Sequence, residues 1–503
     1  MRVSVLLAGV ALIGVVAGPA AADTLREALV KAYNTNPSLA AARAGVRATD
    51  ENVPIAKAAG RPSLSLNGGY TENALNSSST NSLLNPDREV QANTQLTVPI
   101  FRGGRVSNSI KGAEVRADAA RDQLRGTESD LFVGVVGAYM DVIRDEAIVG
   151  LNKENVKVLE VNLQAAKDRF QVGDLTRTDV AQSDARLALA RSQLETAQAR
   201  LISSKESYIR FVGTPPGVLE DPPALPNLPD SPDAAVDVAL KNNPNLLAAV
   251  RAGDATKYDV SAARASRLPT LSGVVGGNYF NYLGSFGTGT NPRPGQSGSA
   301  GTVGAQITLP LYQGGLPSAQ IRQAQERRAQ ALETVTDTER AVIAQTRSAY
   351  AIWKSSLEVI ASAQRAVEAN KLSLEGVRAE NSVGNRTILD ILNAEQELLN
   401  SQVTLVTAQR DAYVAGFALL AAMGEAEARD LGLDGGALYD PLTNYNRVKN
   451  KWSDFGGNPE YKPTGTSTRA TPAQDSSQKR PLDPSLNAPV DIAPDTQANG
   501  TKK

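Results

Sequence analysis

Apolar and polar residues alternate along Gln91–Phe101, with Ala92, Thr94, Leu96, Val98 and Ile100 on one side and Gln91, Asn93, Gln95 and Thr97 on the other. A period of two marks an extended strand with two unlike faces. Thr302–Tyr312 repeats the pattern, setting Val303, Ala305, Ile307, Leu309 and Leu311 against Thr302, Gly304, Gln306 and Thr308. Upstream, Ser63–Thr71 sets Leu64, Leu66, Gly68 and Tyr70 against Ser65, Asn67, Gly69 and Thr71, and Thr270–Tyr282 alternates less regularly. The strands expected are therefore 62–73, 89–101, 269–282 and 301–312. Each has about ten residues, the length that crosses a bilayer at a tilt. Soluble strands also hide one face, so alternation alone leaves a soluble pair of hairpins open. Polar loops, Ala74–Arg88 and Leu283–Ala300, join the strands in pairs, as on the outer side of a membrane barrel.

The period then changes. After Gly103-Gly104 the chain runs to Thr214 without proline, and after Pro317 it runs to Asp440 without one. Both stretches are rich in Ala, Leu, Gln, Glu and Arg, which favour helix. Each is interrupted once, at Val172-Gly173-Asp174 and at Val383-Gly384-Asn385, by a glycine suited to a left-handed C-terminal cap. Two helical hairpins are predicted, 103–213 and 315–424. An outgoing arm of roughly 67 residues would extend about 100 Å, and the returning arm about half of that. The returning arms carry a heptad: Val180, Leu187, Leu194, Leu201 and Tyr208, then Ile391, Leu398, Leu405, Ala412 and Leu419. Small partners (Ser183, Ala190, Ala197, Ser204; Ala394, Ser401, Ala408, Ala415) accompany them. This spacing packs helices as a left-handed coiled coil, within one hairpin or between neighbours.

The chain states this pattern twice. Asn36-Pro37 and Pro62 return 207 residues later as Asn243-Pro244 and Pro269. Val98-Pro99-Ile100-Phe101-Arg102-Gly103-Gly104 returns 211 residues later as Leu309-Pro310-Leu311-Tyr312-Gln313-Gly314-Gly315. Val172-Gly173, Asp179 and Gly213 share that second offset with Val383-Gly384, Asp390 and Gly424. A tandem strand-loop-strand-helix-helix unit follows, with repeats 23–213 and 233–424. The proline-rich segment 214–232 joins them and should run extended along the helices. Residues 425–452 hold short apolar patches and suit an equatorial belt, while 453–503, without periodicity, reads as a disordered tail.

Composition narrows the chemistry. Among 503 residues there is no His and no Cys, which removes Ser-His-Asp and Cys nucleophiles, the usual zinc ligands, haem, iron–sulfur clusters and disulfides. No enzyme, cofactor or metal site is expected. Lys+Arg (52) and Asp+Glu (53) balance, so no basic field points to nucleic acid. Residues 1–22 read as a signal peptide cleaved after Ala22, with Arg2, the apolar Val3–Val16 and Ala20-Ala21-Ala22 as its three parts. No later run of 18 apolar residues offers a transmembrane helix.

Four strands cannot close a barrel. An open edge in lipid leaves unpaired backbone groups, each costing several kcal/mol. The pattern thus argues for a homo-oligomer with a shared barrel, the number of copies left open by composition.

These residues resemble the outer membrane efflux protein family. The resemblance is carried by the NPSLAAARA and NPNLLAAVRA segments, the R-P-S-L and L-P-T-L strand starts, and the VPIFRGGR and LPLYQGGL elbows. It is strongest in Ser382-Val383-Gly384-Asn385-Arg386-Thr387-Ile388-Leu389-Asp390-Ile391-Leu392 and in its partner Val172–Val180, and it covers residues 24–430. It implies an α+β membrane protein: a homotrimer with a shared twelve-stranded β-barrel in outer-membrane lipid and an α-helical barrel in the periplasm. The implied role is an exit duct for efflux pumps or type I secretion, with a periplasmic adaptor (membrane fusion) protein and an inner-membrane RND or ABC transporter as partners. A porin-like barrel without pump partners is the rival reading; the long rods argue against it, since porins need only short periplasmic turns.

The resemblance also assigns a gate at the hairpin turns. Arg386 would bond Thr178 and Asp179 of the next copy, and Asp390 would ring the constriction. Asn381 stands where the family pattern has a latch Tyr, and Asn393 where it has a second ring Asp. Gly173 and Gly384 would be adaptor-docking tips. Read from the residues alone, Arg386 and Asp179 are equally an ordinary solvated helix-end pair, or Asp179 an N-cap.

Overall fold

A computed structural model describes residues 23–74, 86–287, 292, 294–433, 438–458 and 460–486. The expected signal peptide and parts of both strand-connecting loops lie outside the described residues. Thr24 caps α1 (Leu25–Thr35), and α2 (Pro37–Asp50) and α3 (Asn52–Ala58) lead into β1 (Ser63–Glu72). Strand β2 (Arg88–Phe101) turns through Gly103-Gly104 into α4 (Arg105–Gln171), and α5 (Arg177–Val212) returns. The second copy runs through α6 (Pro232–Asn242), α7 (Pro244–Arg264), β3 (Thr270–Asn281), β4 (Ser297–Thr308), α8 (Leu316–Ser382) and α9 (Ile388–Met423). A short α10 (Leu442–Val448) follows. Helices α4 and α8 have 67 residues each and α5 and α9 have 36, matching the arms read from the sequence. The helices that precede each strand pair are additional to that reading.

The Asn-Pro pairs explain those extra helices. Asn36 caps α2 by accepting from Ser38 N–H at 2.9 Å, and its amide donates to the Phe211 carbonyl in the last turn of α5 at 3.0 Å. Asn243 does the same in the second copy, accepting from Asn245 N–H at 3.0 Å and donating to Ala422 O of α9 at 2.9 Å. Proline at the first helical position requires no N–H donor. One buried amide thus satisfies orphan groups of two helices that abut end to end. The short returning arms are thereby continued toward the sheet, α5 by α2 and α9 by α7.

The sheet has the order β1-β2-β3-β4, antiparallel throughout. Its register places Leu66 opposite Thr94, Leu96 opposite Val275, Val275 opposite Val303 and Leu271 opposite Ile307. Opposed residues share a face. One face therefore gathers Leu64, Leu66, Tyr70, Leu96, Val275, Val303 and Ile307, and the other Ser65, Asn67, Gln91, Asn93, Gln95 and Gln306. Among the described residues nothing covers the apolar face: Leu64 and Leu66 are each 71% exposed and Val303 85%.

Strand β4 departs from the expected 301–312 and lies four residues earlier. Its length is set by β3, whose first residue Thr270 pairs with Thr308. Beyond that point β3 offers no partner and Pro310 no donor, so Leu309–Tyr312 leave the ladder. Pro99, the counterpart in β2, is retained beside a bulge between Pro99 and Phe101.

The largest core sits midway along α4. Phe132, Val135, Val136 and Tyr139 of α4 pack there with Leu25, Leu29 and Leu39, with Leu201 and Tyr208 of α5, and with Leu219 of the inter-repeat segment. That segment is extended, as expected, and Tyr139 Oη holds it by donating to Glu220 O at 2.7 Å. The heptad residues Leu187, Leu201, Ile391, Leu398 and Leu405 are buried, between helices of this one chain. Among the described residues no helix is long and apolar enough to cross a membrane.

The tail corrects the sequence reading. Residues 460–486 are not disordered; they run over α5 and α4 and end with Leu486 buried against the second hairpin. Their partners are long-range backbone acceptors and buried charges, which leave no periodicity to read.

Candidate functional site

The two hairpin turns have the same construction. At the first, Gly173 has φ +85° and its N–H donates to Phe170 O at 3.1 Å, while Asp174 N–H donates to Arg169 O at 2.9 Å. At the second, Gly384 has φ +82°, with Gly384 N–H to Asn381 O and Asn385 N–H to Glu380 O, both 2.9 Å. Both are Schellman caps, in which a left-handed glycine closes the carbonyls of the last helical turn. The residue before each glycine is apolar and open to solvent: Val172 is 80% exposed and Val383 70%.

The returning helices begin with acidic capping residues. Asp179 is the third residue of α5 and not its N-cap; the cap is Thr176, whose N–H reaches the Asp179 carboxylate at 2.9 Å and whose hydroxyl reaches it at 2.7 Å. Asp390 receives Thr387 N–H at 3.0 Å and Thr387 Oγ1 at 2.8 Å. These bonds favour the ionised carboxylates. They hold Asp179 below the usual carboxylate range, through the Thr176 hydroxyl first, and Asp390 likewise, through the Thr387 N–H first. Both positions remain negative at the positive end of a helix.

Arg386 sits in the second turn, its Nε donating to the Glu380 carboxylate at 2.7 Å, with both side chains about half exposed. Asn381 donates to the Arg386 carbonyl at 2.7 Å and so braces the turn from within. Asn393 accepts from Arg186 of α5 at 2.8 Å, linking the returning arms of the two hairpins. Thr178 is exposed, as is Arg386. Within one chain, then, Arg386 engages its own turn, Asp179 engages Thr176, and Asn393 joins the hairpins.

One residue the sequence reading missed lies just above the tips. Glu395 of α9 is buried and accepts from Asn162 of α4 at 3.0 Å and from Arg378 of α8 at 3.1 Å. Burial pushes its carboxyl up, against the pull of Asn162 and Arg378. It follows Ala394 in the heptad, and only the packing of a third helix buries it. Among the described residues there is no cluster of acidic, His or Cys side chains able to hold a metal.

The family model described as "Outer membrane efflux protein" matches residues 28–214 and 235–425, one match for each repeat. The chain belongs to the outer membrane efflux protein family. It is 36% identical over 452 residues to outer membrane efflux protein BepC of Brucella suis biovar 1, spanning 89% of this chain and 95% of that protein. It is 26% identical over 440 residues to outer membrane protein TolC of Escherichia coli K12, spanning 84% and 86% of the two. The crystal structure of the outer membrane protein VceC from Vibrio cholerae superposes with a TM-score of 0.68 at 22% identity, covering 80% of this chain and 96% of that one. As an outer membrane efflux protein the chain is an export duct, its sheet in the outer membrane and its helices in the periplasm.

Proposed function

We propose that three copies of this chain close one tube and that its periplasmic end is the valve. The observation that carries this is the register: it sorts the sheet into an apolar and a polar face and, among the described residues, leaves β1 and β4 with unpaired outer edges. In lipid each free edge requires a partner, and a neighbour's edge supplies it without cost in new sequence. Three sheets of four strands make a barrel wide enough for a water-filled lumen, the polar face turned inward. Tyr70 and Tyr279 toward one end, with Phe101 and Tyr312 toward the other, fit the two aromatic girdles of such a barrel.

The helices would form the periplasmic tube, with the turns at its closed end. In the resting tip Arg386 would reach Thr178 and Asp179 of the next copy, and three Asp390 carboxylates would surround the axis. Like charges at a narrow axis repel one another and attract cations. Asn393 in place of a second acid halves that charge, and Asn381 braces the turn where the family has its latch. The exposed Val172-Gly173 and Val383-Gly384 tips would receive a periplasmic adaptor, with an inner-membrane transporter of the RND or ABC type supplying the energy. The test is the particle mass of detergent-extracted protein together with conductance in planar bilayers. Three chains per particle and a small resting conductance are expected; a stable monomer with a closed sheet overturns the proposal.

A further inference from the structure

The C-terminal segment is seated as a strap across both helical hairpins. It leaves the equatorial region at Thr466, whose N–H donates to Thr35 O at 3.3 Å. It then crosses α5, where Gln474 N–H donates to Glu206 at 3.1 Å. Lys205, 1% exposed, donates to Ser477 O at 2.6 Å and to Asp475 O at 3.1 Å. On α4 the buried Glu146 accepts from Lys479 N–H at 3.2 Å, and Gln478 lies over Gly150, where an added Cβ would stand 2.9 Å from its side-chain amide. Lys479 Nζ donates to Pro216 O at 2.7 Å, and Arg480 pairs with Asp221, so the inter-repeat segment is held too. The strap ends on the second hairpin. There Lys371 of α8 bonds Ser485 O, Gln402 of α9 donates to Leu486 O at 2.7 Å, and Leu486 enters an apolar cluster with Leu151, Leu374 and Leu398.

A lysine is almost never fully buried without acceptors. Lys205 finds two of them in the strap's main chain, and Glu146 one donor. The strap's main chain thus supplies hydrogen-bond partners to both of these charges of the first repeat, and Leu486 carries the contact on to the second hairpin. We infer that residues 464–486 are a clasp that ties hairpin α4–α5 to hairpin α8–α9 and restrains their separation, and hence the opening of the tube. The functional half of this inference rests on the duct reading above; the docking half does not.

The chain has no cysteine, so an engineered pair reports without background. In the full-length protein in detergent, trypsin should cut slowly after Lys479, and Leu486→Asp or Lys205→Gln should speed that cut by about tenfold or more, since cleavage follows the open population. Wild-type cleavage as fast as in both variants overturns docking. For function, Gly150→Cys with Gln478→Cys is closed with a short bifunctional thiol reagent and compared in bilayers with Leu486→Asp and with a chain ending at Pro463. Higher resting conductance in the two released forms and lower in the cross-linked one is expected. Conductance equal to wild type in all of them overturns the restraint, while a wild type that conducts leaves the duct reading standing. A wild type that forms no channel fails that reading instead, with the protease result still deciding docking.

Discussion

The Asn36 amide reaches the Phe211 carbonyl at 3.0 Å while its own oxygen caps α2, so a single side chain splices α5 to α2. Asn243 splices α9 to α7 in the same way. Replacing either by Ala removes a cap and leaves a buried carbonyl unpaired, at a cost of about 1–3 kcal/mol. Asp keeps the cap but loses the donor, and it sets a negative charge against the C-terminal end of the helix behind it. Asn36→Asp and Asn243→Asp should therefore melt as early as the Ala variants, followed by helical circular dichroism in detergent. An Asp variant as stable as wild type would show that the splice contributes nothing beyond the cap.

Arg386 and Glu380 are a surface pair, screened by solvent, and contribute little to stability on their own. Arg386→Ser should leave the melting temperature nearly unchanged. If the guanidinium also reaches a neighbour's Asp179 in the closed tip, the same substitution raises single-channel conductance in planar bilayers, and so does Asp179→Ala. Glu380→Gln frees Arg386 for that neighbour and should not raise conductance. Wild-type conductance in both Arg386→Ser and Asp179→Ala would remove these residues from the valve.

The tip glycines and their exposed neighbours separate stability from docking. Gly173→Ala and Gly384→Ala place an L side chain at φ +85° and +82°. Each should cost about 1–2 kcal/mol, seen as earlier melting. Among the described residues nothing lies within 4 Å of either glycine's Cβ position, so the strain is in the backbone and not in packing. Val172→Ser and Val383→Ser change no buried surface and should melt like wild type. If the tips receive the adaptor, the two Val variants together weaken its capture by the purified channel; undiminished capture would move the docking surface elsewhere.

Punctuation made the hairpins legible. Long proline-free runs broken by Gly173 and Gly384 specify where each rod stops, because only a left-handed residue closes the cap. Alternation located the strands, and the register confirmed which face is apolar. What stayed hidden depended on contacts distant in sequence. The end of β4 is decided by where β3 begins, not by the alternation that continues through Leu311. Asn36-Pro37 was visible as a repeat marker, but its second bond goes to a helix 175 residues away. The strap carries no pattern of its own, since Lys205, Glu146 and Gln402 supply the specificity from outside it. Glu395 reads as a solvated heptad flank until α4 is packed beside it.

That burial gives Glu395 a pH signature. Its folded carboxyl is pushed up by loss of water, only partly offset by Asn162 and Arg378. A raised acid is most favourable to the fold when protonated. Its contribution is complete below the ordinary glutamate range near 4.5 and is lost as pH rises through the higher folded value. The hairpins should therefore be least stable on the alkaline side of that window, where the buried carboxylate is charged. Glu395→Gln keeps an oxygen to accept from Arg378 or Asn162 and removes the ionisation. It should raise the melting temperature at pH 8 by a few degrees, with little effect at pH 4, flattening the profile between them. A parallel profile in wild type and Glu395→Gln would show that the Arg378 pairing fully compensates the buried charge. A lower melting temperature at pH 8 would show that the ion pair is a net stabiliser of the junction between α4, α8 and α9.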